Sequence, residues 1–73
     1  MTPVLLHNVG AALYGPRWQS ELARALGVSD RTVRRWAAGT HPIPAGLYLE
    51  LLRLCSARED GLREVVRLLH AEE

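Results

Sequence analysis

The chain has 73 residues, room for a single small domain, and its 48% hydrophobic and 23% charged composition is that of a globular protein with an ordinary core. A single cysteine excludes an internal disulfide and fits a reducing, cytoplasmic setting; no apolar run reaches the roughly 20 residues that span a bilayer, and "MTPVLLHNVGAALYG" has no basic stretch ahead of its apolar residues, as a secretory signal would. The net charge is only +1, but residues 17–35 carry +3 and residues 50–73 carry −2, an asymmetry that points to a polyanionic partner for the basic half.

Five helices and no strand are predicted, an all-α bundle. The first has Thr2 as N-cap and Pro3 in its first turn, places Leu5, Val9, Ala12 and Leu13 on one face, and ends at Gly15–Pro16. The second starts at Pro16, aligns Trp18, Leu22, Ala25 and Leu26, and stops at Gly27, which can take a positive φ. Ser29 caps the third, which runs to Ala38 and stops at Gly39. "THPIP" is a loop, because two prolines two apart cannot continue a helix. The fourth helix is predicted over 44–57 with Leu47, Leu51, Leu54 and Cys55 inward, and the fifth over 58–71 with Leu62, Val65, Val66 and Leu69 inward.

The second and third helices are joined by Gly27, Val28 and the cap Ser29. This is helix–turn–helix spacing, with Ala23 small at the crossing and Val28 and Val33 apolar to lock the pair. On a wheel of about 100° per residue, Val33, Trp36 and Ala37 form the inner face of the third helix and Arg31 and Arg35 lie opposite. Like charges at i and i+4 repel, so that pair lacks a stabilising role within the chain. Arg34 follows Asp30 by four residues in the favourable order, and Asp30 sits at the positive end of the helix dipole, so an Asp30–Arg34 ion pair accounts for both.

An outward face of Arg31, Thr32 and Arg35 suits the major groove of DNA, where arginine bonds guanine O6 and N7 with both arms. Arg17, Gln19 and Ser20 at the start of the second helix form a phosphate-binding arrangement, and Thr40 and His41 offer a second backbone clamp. The competing readings are structural: Arg31 and Arg35 as solvated charge, Asp30 as a helix-end residue, Trp18 and Trp36 as core, Cys55 as a small buried hydrophobe. His7, His41 and His70 are scattered, and no metal site, cofactor, small-molecule ligand or catalytic constellation is expected.

The segment "WQSELARALGVSDRTVRRWAAGTHPIP" resembles the core of the lambda-repressor-like family, the Cro and phage-repressor (XRE) type of helix–turn–helix regulator. The resemblance lies in Gln19, Glu21-Leu22-Ala23, Leu26-Gly27-Val28-Ser29, Val33, Trp36, Gly39 and Pro44, and covers residues 15–55. It implies base contacts from Asp30, Arg31, Thr32 and Arg35, and phosphate contacts from Gln19 and the Gly39–His41 loop; Arg17, Ser20 and Arg34 complete the expected phosphate set. Trp18 departs from the small residue usual before the Gln, and Ala37 and Ala38 from the usual Glu–Asn. The function implied is a sequence-specific regulator of double-stranded DNA, a repressor of phage or mobile-element type. Leu49, Leu52 and Leu68 fall outside the inward stripes and mark a homodimer interface, matched to a palindromic operator. The alternative is a protein-interaction module, an antitoxin or adaptor, using the fourth and fifth helices.

Overall fold

Local capping rules decide where the helices begin and end. In the computed structural model, which describes residues 1–72, there are four α-helices and one 3-10 turn, and no strand among the described residues. The first helix, α1 (Pro3–Tyr14), starts where the Thr2 hydroxyl accepts from the Leu5 N–H at 3.1 Å. It ends at Gly15, with φ at 78°. Gly15–Arg17 form the 3-10 turn, so the second helix, α2 (Trp18–Leu26), begins two residues after the predicted Pro16. The third, α3 (Asp30–Ala38), is capped by Ser29, whose hydroxyl accepts from Thr32 N–H at 3.2 Å.

Gly27 and Gly39 end α2 and α3 with φ of 73° and 77°, a left-handed conformation that side-chain-bearing residues rarely adopt. After each, the chain closes the same way. Val28 N–H donates to the Ala23 carbonyl at 3.0 Å, and Thr40 N–H to the Arg35 carbonyl at 3.2 Å. Three residues, Gly27–Ser29, therefore separate two nine-residue helices that pack on each other, with α1 against both.

The core is made by Leu6, Trp18, Leu22, Ala23, Val33, Trp36, Leu47 and Leu51, and no polar side chain is buried among the described residues. Ala23, at 1% exposure, occupies the position where α2 has to be small. Two predicted faces need correction. On α1 the buried positions are Leu6, Gly10 and Leu13, while Leu5 and Ala12 are exposed and Val9 is half-buried. The cause is Trp18: a Cβ on Gly10 would lie 2.1 Å from its ring, so the indole packs directly on the α1 backbone there and selects that face. On α2 the inner positions are Trp18, Leu22 and Ala23, with Ala25 exposed; Val28, predicted to lock the turn, is also exposed.

The larger correction concerns the C-terminal half. The predicted fourth and fifth helices are one 25-residue helix, α4 (Leu47–Ala71). The polar run "SARED" and Gly61 do not interrupt it: there is no proline, and a mid-helix glycine costs only about 1 kcal/mol relative to alanine. Ion pairs at i,i+3, Arg53–Glu50 and Arg67–Glu64, brace it on either side of that run. The Arg67 guanidinium beside Glu64 holds that carboxyl below its ordinary pKa.

Helix α4 packs on α1 through its first half only. Leu47 and Leu51 are buried, and Leu54 and Cys55 half-buried. The second half has no element to meet. Leu62, Val65, Val66 and Leu69, predicted to point inward, are 49–64% exposed. The molecule is consequently 50 Å long, and its radius of gyration of 14.3 Å exceeds the about 11 Å of a compact domain of this length. Among the described residues no helix is long and apolar enough to cross a membrane.

Candidate nucleic-acid interface

Helix α3 is held to the domain by one stripe and presents the other to solvent. Val33 and Trp36 are buried at 0% and 8% exposure, and Ala37 is half-buried. Asp30, Arg31, Arg34 and Arg35 are exposed. The three arginines of α3 have no carboxylate within ion-pair distance among the described residues, whereas Arg24 of α2 pairs with Glu21 at 3.3 Å. The result is a surface of three guanidinium groups against one carboxylate, Asp30, on nine residues, supported by an apolar underside.

The expected Asp30–Arg34 pair does not form. Asp30 Oδ2 instead accepts from the Ser20 hydroxyl at 2.9 Å. Since Ser20 lies in the first turn of α2 and Asp30 opens α3, this bond staples the starts of the two helices together. Two residues placed by sequence in different roles, Ser20 on phosphate and Asp30 on a base, are thus each other's partners. It also leaves Arg34 unpaired beside Arg31 and Arg35.

Thr32 is half-buried, and its hydroxyl lies 2.9 Å from that of Ser29, within the cap of α3. It stands closer to the helix scaffold than to the open arginine face. At the other end, Thr40 donates from its hydroxyl to the Arg35 carbonyl at 3.2 Å and sits 3.1 Å from His41 Nδ1. Thr40 therefore satisfies one of the last carbonyls of α3, and the His41 ring is fixed beside it. Thr40 and His41 border a shallow depression with Pro3, Gly39 and Ile43.

The start of α2 forms a second shallow depression, lined by Pro16, Arg17, Trp18, Gln19 and Ser20. Arg17 is exposed and unpaired among the described residues, Gln19 is half-buried, and Trp18 beneath them is core at 3% exposure. Its ring meets His7 edge-on, with centroids 5.5 Å apart. The structure thus places Arg17, Gln19 and Ser20 together at the beginning of α2 and joins them to α3 through Asp30. His41 and Thr40 stand at the far end of α3.

Sequence reading missed the Ser20–Asp30 bond because no spacing rule links residues ten apart; only the packing of α2 on α3 brings them together. It also missed the bare half of α4, for which the signal was present: an uninterrupted helical repeat without proline. Among the described residues no three His, Cys, Asp or Glu side chains gather as metal ligands would. Comparison with protein-family models, with curated proteins and with solved structures returned no match.

Proposed function

We propose that the chain is a sequence-specific double-stranded DNA-binding regulator of helix–turn–helix type, with α3 as the reading helix. The observation that carries this reading is the unpaired arginine face of α3. Three like charges on one short helix repel one another, and no carboxylate stands within ion-pair distance of them among the described residues; the ligand that compensates them is a polyanion. Arg31 and Arg35, opposite the buried Val33–Trp36 stripe, have the reach for guanine O6 and N7 in the major groove. Arg34 on the flank, with Arg17 and Gln19 at the start of α2, contacts the phosphates on either side.

In this role the rigidity of α3 has a purpose. The Ser29 cap, the Ser20–Asp30 bond and the Gly39 closure fix the helix at both ends, so the arginines are presented without a prior ordering cost. Asp30 serves as a scaffold for the reading helix through Ser20. Bound to a promoter, such a domain represses by occupancy, and a homodimer would place two reading helices about 34 Å apart on a palindromic operator.

Selection from a random double-stranded DNA pool tests this reading. The expected result is an enriched site with guanine-bearing half-sites related by a two-fold. A pool that stays random after repeated rounds at low salt would refute it.

A further inference from the structure

Helix α4 carries the same apolar face at both of its ends, but only one end is covered. In the first half, Tyr48, Leu51, Leu52 and Cys55 form one wall of an apolar groove, and Met1, Leu5 and Val9 beside α1 form the other, enclosing about 200 Å³. In the second half, Leu62, Val65, Val66 and Leu69 continue that face along the helix into solvent.

Two five-residue runs at equal distances from Asp60 mirror each other in sequence. Outward from Asp60, residues 55 to 51 read Cys-Leu-Arg-Leu-Leu, and residues 65 to 69 read Val-Val-Arg-Leu-Leu. Both arginines are turned to a glutamate three residues earlier, Glu50 and Glu64, and leave the apolar positions clear. A two-fold axis through the middle of a helix converts such a mirror pattern into a self-complementary surface.

We infer that α4 pairs antiparallel with α4 of a second copy of this chain, about a two-fold near Asp60, so that the bare half of each lies along the groove of the other. Val65 of one copy then stands opposite Cys55 of the other, and Leu69 opposite Leu51 at the groove floor. The lengths agree. At about 1.5 Å per residue, Val65 to Leu69 lie roughly 8–14 Å from the midpoint on one side, and Cys55 to Leu51 the same distance on the other. Leu52, which lines the groove, falls in this contact; Leu68, about 100° off the Leu62–Leu69 face, does not. Leu49, on the other side of α4, takes no part.

The two-fold makes each contact twice, and it covers four of the large hydrophobic side chains left exposed on the distal half, Leu62, Val65, Val66 and Leu69. The inference is independent of the DNA reading, and its test uses the full chain without DNA. Sedimentation equilibrium at about 100 µM should give twice the 8.1 kDa chain mass. Val65→Glu/Leu69→Glu should raise the dissociation constant by about a hundredfold or more with helical circular dichroism retained, because both residues are exposed in the isolated fold.

Oxidation supplies the register. Val65→Cys should form a covalent dimer through the native Cys55 of the other copy, whereas the unaltered chain should not, its two Cys55 thiols being roughly 15 Å apart along the pair. Val65→Cys in a Cys55→Ser background should stay monomeric on oxidation. A monomer at about 100 µM, a dimer indifferent to the double glutamate variant, or cross-linking in the Cys55→Ser background, as parallel helices would give, each overturns the inference.

Discussion

The Ser20 hydroxyl donates to the Asp30 carboxylate at 2.9 Å, and this bond joins the first turn of α2 to the first residue of α3. It draws Asp30 away from Arg34, with two consequences. The angle of α3 is steadied from its N-terminal end, and a third guanidinium is left free on the face that already carries Arg31 and Arg35.

That staple has a measurable strength. Ser20→Ala should lower unfolding stability by about 0.5–1.5 kcal/mol, as expected of one hydrogen bond to a charged group near the surface. Asp30→Ala should cost more, since it also removes a first-turn carboxylate worth about 0.3–1 kcal/mol against the helix dipole. A denaturant-unfolding double-mutant cycle should show positive coupling between the two. Additive effects would mean that the bond contributes nothing.

Gly10 is required by Trp18. Alanine ordinarily stabilises a helix over glycine by about 1 kcal/mol, but here the new Cβ would lie 2.1 Å from the indole. The ring, at 3% exposure, has nowhere to retreat. Gly10→Ala should therefore destabilise the domain by about 1–3 kcal/mol net, read as a lowered thermal midpoint. A raised midpoint would show that the indole does not pack on the α1 backbone.

Gly61 makes the opposite prediction. It lies within continuous α4, its φ is not positive, and no neighbour lies within 4 Å of where a Cβ would be. Gly61→Ala should raise stability by about 0.5–1 kcal/mol. Were the chain to bend there, as two separate helices would require, the same substitution would be neutral or harmful.

The pattern of these outcomes follows the range over which each rule acts. Thr2, Ser29, Gly27 and Gly39 were legible because a cap or a left-handed closure depends on residues within one turn. The outward face of α3 was legible because its moment is strong: Val33 and Trp36 are its large apolar side chains. In α1 almost every residue from Val4 to Leu13 is apolar or small, so periodicity alone could not choose Leu6 over Leu5; the choice was made by Trp18, eight residues from Gly10. The second half of α4 was misjudged for a related reason. Leu62, Val65, Val66 and Leu69 have the spacing of a buried face, but burial needs a second surface, and α1 ends before it reaches them. A stripe shows which side of a helix is apolar, and the rest of the fold decides what covers it.

The central claim is that the arginine face of α3 reads DNA. The most direct measurement is the affinity of the chain and of Arg31→Ala/Arg35→Ala for a selected duplex at about 150 mM salt, followed by fluorescence anisotropy, with circular dichroism as the check on folding. At about 1–3 kcal/mol of discrimination per bidentate contact, the double variant should lose at least about thirtyfold in affinity while its spectrum is unchanged, because neither arginine has a partner in the fold. An affinity equal to that of the unaltered chain would contradict the account.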